Sequence, residues 1–183
     1  MLALQRGEED AFDRLFEKHV ASMVRFARQF VKSQARAEEL AQDVFLQVYR
    51  NRASYQANAR FNTWLYRIAT NACLSEVRRP EHRLRVQPRV ETDQHGSPAE
   101  QRLLEKPQPS SEDALLSREA VDTIQNALAQ LPPQQRASLL LARVEGMSYE
   151  EVAETLSVSV SAVKSLIHRA TSTLRNKLLQ GVE

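Results

Sequence analysis

The chain has 183 residues, a formal net charge of +2, 42% hydrophobic side chains and only four glycines. Its single cysteine excludes an intrachain disulfide framework, and no apolar run approaches the roughly 20 residues of a membrane-spanning helix. The first residues lack the order of a signal peptide. Abundant Ala, Leu, Glu, Gln and Arg favour an all-α protein. We therefore expect a cytoplasmic protein without direct membrane insertion.

Three helices are predicted in a first module, residues 1–80, because apolar side chains recur there at three- and four-residue steps. The helices cover about 12–30, 35–50 and 60–79, and the polar stretch 54–60 between the last two is predicted to be a loop. The apolar positions are Phe12, Leu15, Phe16, Val20, Met23, Ala27 and Phe30 in the first helix, Leu40, Val44, Phe45 and Val48 in the second, and Phe61, Trp64, Leu65, Ile68, Ala69 and Ala72 in the third.

Aromatic, amide and arginine side chains are concentrated between residues 54 and 79. Aromatic rings stack on unpaired bases, amides bond their edges and arginines neutralise phosphates, so this set is typical of single-strand binding. Phe61 and Trp64 are predicted to be core, whereas Tyr55, in a polar loop without apolar neighbours, is predicted to be available. The candidate residues for binding a single strand are Tyr55, Asn58, Arg60, Asn71, Arg78 and Arg79.

A proline-rich segment, residues 81–112, follows the first module and is predicted to be a flexible linker with a short helical turn near 99–104. A second helical module is predicted over 113–183. Its first helix ends at Leu131, before two prolines, and carries Ala114, Leu115, Val121, Ile124 and Leu128 at helical spacing. Its second helix covers about 134–145, and Gly146 is a candidate left-handed cap.

The most informative pattern is a helix-turn-helix between residues 148 and 175. Ser148 and Glu151 form a capping box, Ser157 and Val158 make the turn, and Ser159 or Ser161 can cap the second helix. Residues at three- and four-residue steps are predicted to face inward: Val163, Ile167, Ala170 and Leu174. The residues left outside are Lys164, Ser165, His168 and Arg169. Such a face suits the DNA major groove, although an ordinary helical hairpin with a solvated charged face is an alternative.

Charge is segregated along the chain. Residues 1–80 carry 13 basic and 9 acidic groups, a net of +4; residues 119–154 carry 2 and 6, a net of −4; residues 155–183 carry 4 and 1, a net of +3. The helix-turn-helix therefore ends on a basic segment. Such asymmetry steers one face of a protein towards polyanions.

No catalytic or metal-binding pattern is present. The four histidines (His19, His82, His95 and His168) lack metal-ligand spacing, and the glycines are too dispersed for a phosphate-binding loop. Cys73 is predicted to be a packed thiol, and the acidic group Glu38, Glu39 and Asp43 favours a basic partner over a metal. We therefore expect no enzymatic activity, no cofactor, no metal and no small-molecule substrate.

Three sequence blocks together resemble one known family. They are AEELAQDVFLQVYRN, FNTWLYRIATNACLSEVRR and, after the proline-rich gap, LPPQQRASLLLARVEGMSYEEVAETLSVSVSAVKSLIHRA. Occurring in this order, they are similar to the extracytoplasmic-function (group IV) sigma factors of the bacterial sigma-70 family. The resemblance implies that the first module is region 2, which binds core RNA polymerase and melts the −10 element. The second would be region 4, which binds the −35 element as duplex, and there is no room for regions 1.1 or 3.

The resemblance also implies roles for individual residues. Tyr55 would hold a flipped −10 base, and Asn71 would line its pocket. Polymerase would be bound by Glu39, Gln42, Asp43 and Gln47. The −35 element would be contacted by Lys164, Ser165, His168 and Arg169. Some relatives have arginine at Leu166 and an aromatic residue at His168, which leaves the −35 sequence preference open.

Family members are commonly held inactive by an anti-sigma factor, often tethered to a membrane, and the resemblance implies such a partner here. The rival interpretation is a stand-alone transcription regulator with a C-terminal helix-turn-helix. A regulator of that kind would bind its DNA site unaided, whereas a sigma factor would need core polymerase.

Overall fold

The computed structural model describes residues 1–8, 10–57, 60–79, 121 and 123–180. All regular structure in these residues is helical, which confirms the all-α prediction. The predicted linker, 81–112, and the helical turn near 99–104 lie outside the described residues.

Four helices and one 3₁₀ turn form the first group. They are α1 (Leu2–Gln5), α2 (Asp10–Arg28), α3 (Gln34–Arg50), the 3₁₀ turn (Arg52–Ser54) and α4 (Phe61–Arg78). The predicted apolar stripe of α3 is buried throughout, and so are Met23, Ala27 and Phe30 at the end of the first predicted helix. Phe12 and Phe16 of α2 are half-buried and pack on Phe45 of α3 with ring centroids 6.4 and 4.9 Å apart.

The second group contains residues 123–129, which are helical and are called α5, followed by α6 (Pro133–Arg143), α7 (Tyr149–Leu156) and α8 (Val160–Gln180). Pro133 begins α6, where its missing N–H removes no helical bond. Val121 and Ile124 are about half exposed, and this segment is anchored instead by buried Ala127 and Leu131. Gly146 has φ +67°, the predicted left-handed conformation, in the loop that leads to α7.

The two groups share one continuous apolar core, an arrangement that helical periodicity did not predict. Helix α4 explains it, because α4 packs on α3 on one side and on α6 and α7 on the other. Its buried surface is therefore wider than the predicted stripe and also includes Tyr66, Thr70, Cys73 and Leu74. Phe61, Trp64, Ile68 and Ala72, which were also predicted to face inward, are half-buried and pack against this core.

Three polar contacts also join the groups. The Tyr66 hydroxyl donates to the Glu145 carboxylate, and Arg136 donates to the main-chain oxygen of Gln29 at 2.7 Å. Arg60 pairs with Glu151 at 3.4 Å. Burial is the first cause that raises the pKa of Tyr66, and the contact with Glu145 adds to it, so the phenol stays protonated as the donor.

Candidate nucleic-acid interface

The helix-turn-helix has the local structure that its sequence predicts. Both capping-box bonds are present: the Ser148 amide donates to the Glu151 carboxylate at 2.8 Å, and the Glu151 amide donates to the Ser148 hydroxyl at 3.2 Å. Ser157 adopts φ +55° and turns the chain after α7. The Ser159 hydroxyl accepts from the Ala162 amide at 3.2 Å, so Ser159 rather than Ser161 caps α8.

Helix α8 presents its predicted outer face. Val163, Ile167 and Ala170 are buried, as predicted, while Leu174 is only half-buried. The exposed side chains Lys164, Ser165, His168 and Arg169 line one shallow hollow of about 320 Å³. None of the four bonds through its side chain to another residue within the described part of the chain. Two cations, a hydroxyl and an imidazole are thus available for phosphates and base edges.

Tyr55 has apolar neighbours, contrary to the prediction. Its ring lies 5.3 Å from the Trp64 ring and 6.2 Å from the Phe61 ring, both edge-on, and the side chain is half-buried. Tyr55, directly after the 3₁₀ turn, lies against the first turn of α4, a contact that helical periodicity cannot show. His19 continues the cluster at 5.3 Å from Phe61. Tyr55 therefore belongs to a half-exposed aromatic cluster, which a stacking base could extend.

The outer face of α4 carries part of the predicted single-strand site. Asn71 and Arg78 are exposed and seven residues apart, which places them near one line along the helix. Arg67 is exposed one turn before Asn71 on the same face, and the sequence analysis left it off the list of candidates. Its four-residue spacing from Asn71 is the signal that could have found it. Asn58 lies outside the described residues.

Two other predicted DNA-binding arginines are engaged within the protein. Arg60 pairs with Glu151 of α7, as described above, although its side chain is 83% exposed. Arg79 lies at 3.1 Å from the Glu76 carboxylate. Each pair uses one nitrogen of a largely exposed guanidinium, whose remaining N–H groups are available to a phosphate.

Glu76 is the centre of an ion-pair network between α3 and α4. Arg36 donates to both oxygens of its carboxylate at 2.8 Å and also to Glu39 at 2.6 Å. The bond to Glu76 is the first cause that raises the pKa of Arg36. Glu76 is 9% exposed, so its charge requires these partners. Glu39, a predicted polymerase contact, is therefore oriented by Arg36.

The other predicted polymerase contacts, Gln42, Asp43 and Gln47, are exposed on α3. Two apolar side chains of α3 accompany them that the sequence analysis did not select: Leu46, 49% exposed, and Tyr49, 39% exposed. Leu46 lies one turn from both Gln42 and Asp43 and outside the buried stripe. Of the two, Tyr49 is the residue type that is enriched at the anchor positions of protein interfaces.

Cys73 is 1% exposed and is a packed thiol, as predicted. Burial, together with the charge of Glu76, raises its pKa to about 12, so almost no thiolate forms near neutral pH. Among the residues the structure describes, no group of three or more His, Cys, Asp or Glu side chains could hold a metal ion. A search of the same residues found no helix long and apolar enough to cross a bilayer.

Comparisons with known proteins agree with this geometry. The profile of "Sigma-70 region 2" matches residues 15–83, and that of "Sigma-70, region 4" matches residues 122–174. The chain is 30% identical over 175 residues to the ECF RNA polymerase sigma factor SigW of Bacillus subtilis, covering 96% of this chain and 92% of that protein. It is 34% identical over 172 residues to the RNA polymerase sigma factor CarQ of Myxococcus xanthus, covering 94% and 91%.

The fold is also similar to solved structures. CnrH, solved in complex with the cytosolic domain of CnrY, superposes with a TM-score of 0.68 at 22% identity, covering 98% of this chain and 94% of that one. The sigma factor RpoE from Bartonella quintana, solved with the anti-sigma factor NepR, gives a TM-score of 0.65 at 20% identity, covering 92% and 96%. Sequence relatives, matched regions and fold agree, and the chain belongs to the extracytoplasmic-function sigma factors of the sigma-70 family.

Proposed function

We propose that this sigma factor directs bacterial core RNA polymerase to promoters in the cytoplasm by reading two DNA elements with two surfaces. The outer face of α8 reads the −35 element as duplex. The aromatic cluster around Tyr55 and the outer face of α4 capture the unpaired −10 strand. The observation that carries the proposal is the α8 face, where Lys164, Ser165, His168 and Arg169 stand exposed on the second helix of a helix-turn-helix.

Polymerase docks on α3 in this proposal. Gln42, Asp43 and Gln47 are exposed there around Leu46, and Glu39 is held in place by Arg36. The packing of α4 on α6 and α7 leaves this face of α3 uncovered. The arrangement in which the two modules share one core, called the closed arrangement, can therefore bind polymerase before the modules separate.

The modules must separate for promoter binding. Elements centred near −35 and −10 lie about 25 base pairs apart, which is about 80 Å of duplex. A compact body of 183 residues would be only about 40 Å across. The 41 residues from 80 to 120 could span about 130 Å if fully extended, which is enough for both modules to bind at once.

An anti-sigma factor would act on the same equilibrium by holding the closed arrangement or by covering α3. A solved sigma factor of this fold carries such a partner: RpoE from Bartonella quintana is bound to the anti-sigma factor NepR. The chemistry of the exposed α3 face, polar with an apolar centre, suits a protein partner. We therefore propose that the inhibitor of this chain is an anti-sigma protein that binds this face or the closed arrangement.

Run-off transcription tests the proposal. The purified chain is added to bacterial core polymerase on fragmented genomic DNA, and we expect discrete transcripts that share two upstream elements. A stand-alone regulator would shift DNA in gels without polymerase and would produce no transcripts. Failure to bind core polymerase in the absence of any inhibitor would refute the sigma-factor mechanism for this chain.

A further inference from the structure

The side chain of Gln5, in the short helix α1, lies between two main-chain carbonyl groups that are far away in sequence. Its amide nitrogen donates to Arg52 O at 2.7 Å and to Tyr55 O at 2.8 Å. These carbonyls are at the beginning of the 3₁₀ turn and at the residue just after it. Gln5, which belongs to another element, therefore links the two ends of the segment 52–55.

A primary amide is suited to this position. Its nitrogen has two N–H groups, and each meets one acceptor, so both donors are used. Arg52 O also accepts from the Tyr55 amide at 3.3 Å, the bond that closes the turn. The amide and hydroxyl of Ser54 also donate to Asn51 O, at 3.0 and 2.8 Å, and Gln5 adds two bonds that come from another element.

The donor is itself held in place. Leu4, its neighbour, is 2% exposed and anchors α1 in the apolar core. After α1 the chain reverses at Gly7, whose φ of +90° is costly for other residues. Gln5 thus lies on an anchored element, and a bond from such an element restricts the partner loop more than a bond from a mobile side chain would.

We infer that Gln5 is a positioning residue for −10 recognition: its amide fixes the backbone of residues 52–55, so that the Tyr55 ring is already in place when a base leaves the duplex. The inference rests on the proposed function of Tyr55. A preformed site does not have to be ordered during binding, and more of the interaction is then available to offset unpairing. The contact with Trp64 positions the Tyr55 ring, and the two bonds from Gln5 position the backbone that carries this ring.

Three variants separate positioning from general stability. Gln5→Ala removes both donors. Gln5→Glu keeps the size of the side chain but places a carboxylate, which only accepts, against two carbonyl oxygens. Glu8→Ala is the matched control, because Glu8 is exposed near the same helix and its carboxylate pairs with Arg6 at 3.3 Å.

The first measurement uses the fluorescence of Trp64, the only tryptophan in the chain, whose ring Tyr55 contacts. We expect Gln5→Ala to raise the acrylamide quenching constant about twofold, because the loop that covers the indole is released. Gln5→Glu should equal or exceed this effect at pH 7.5 and recover in part near pH 5, where a protonated carboxyl regains one donor. Quenching like that of the Glu8→Ala control in both variants would overturn the inference.

The second measurement uses holoenzyme, with bacterial core polymerase and a promoter recovered by the run-off experiment. Permanganate reactivity of unpaired thymines should fall about fivefold to tenfold in Gln5→Ala, as expected for two lost hydrogen bonds. The affinity for core polymerase should not change. In a double-mutant cycle, Gln5→Ala should add almost nothing to Tyr55→Ala, because it acts through that ring. Additive losses would overturn the inference.

The two proposals fail in distinguishable ways. If Tyr55→Ala leaves promoter opening intact while Gln5→Ala still exposes Trp64, the −10 role of Tyr55 is wrong. If Tyr55→Ala abolishes opening and Gln5→Ala does not reduce it, the role of Gln5 is wrong and the proposed function stands.

Discussion

The two surfaces proposed to read DNA differ in how many elements and internal contacts form them. The α8 face is formed by one helix, and its four side chains bond to no other described residue. The −10 surface combines the loop after the 3₁₀ turn with α4, and two of its predicted arginines already pair with carboxylates. Duplex DNA offers a regular groove that one helix can enter, whereas an unpaired strand has to be held at several points. Binding the unpaired strand therefore requires tertiary structure, whereas reading duplex DNA largely depends on a single helix.

The largest expected effect is at Tyr55. Tyr55→Ala should lower open-complex formation about 30-fold, because stacking on one aromatic ring is worth about 1–3 kcal/mol per base. Permanganate footprinting of holoenzyme on a recovered promoter measures it. Polymerase affinity, measured by fluorescence anisotropy, should remain as in the unchanged protein, since Tyr55 is not on the α3 face. An equal loss in both assays would contradict the assignment.

Two arginines of the first module should separate structural from DNA-binding roles. Arg36→Ala should lower the free energy of unfolding by about 2 kcal/mol, because it removes the bidentate partner of buried Glu76. Arg67→Ala, on the exposed face of α4, should change it by less than about 0.5 kcal/mol but weaken binding of the −10 strand. Urea denaturation and strand binding by holoenzyme give the two values. The reverse order would show that the exposed face of α4 is structural.

Tyr66→Phe tests whether the two modules are held together by the buried phenol. Loss of the bond to Glu145 should cost about 1 kcal/mol of stability at pH 8. Because burial raises the pKa of Tyr66, its contribution is complete below the ordinary value of about 10 and is lost as the pH rises through the raised value. The thermal midpoint of the unchanged protein should therefore fall more steeply between pH 10 and 11 than that of the variant. If the thermal midpoints of the two proteins fall in parallel with pH, the Tyr66 hydroxyl does not hold the modules together.

The smallest effect is expected on the α8 face. Arg169→Ala should reduce the slope of log affinity against log salt by about one for holoenzyme on duplex promoter DNA. Arg143 is the control, because it is exposed in the last turn of α6 and not on the α8 face. Arg143→Ala should leave the slope unchanged. Identical slopes for both variants would place Arg169 outside the phosphate contacts.

The candidate sites were predictable to different degrees. All four α8 residues could be placed from spacing alone, since helical periodicity decides which side chains oppose Val163 and Ile167. For the first module, periodicity found Asn71 and placed Trp64 against the core, but it left Tyr55 without neighbours. The contact between their rings depends on how a loop folds back, and loops carry no periodic signal. Gln5 was missed for a related reason, because its partners are main-chain oxygens 47 and 50 residues away.

The sequence by itself determined the helices, the capping box of the helix-turn-helix, the left-handed Gly146 and the family, because these depend on neighbours within a few residues or on motifs read in order. Only the tertiary structure decided that α4 is buried on two sides, that Tyr66 and Arg136 join the modules, and that Arg60 and Arg79 are paired. Such contacts form between elements whose sequence separation carries no pattern, and packing alone selects them.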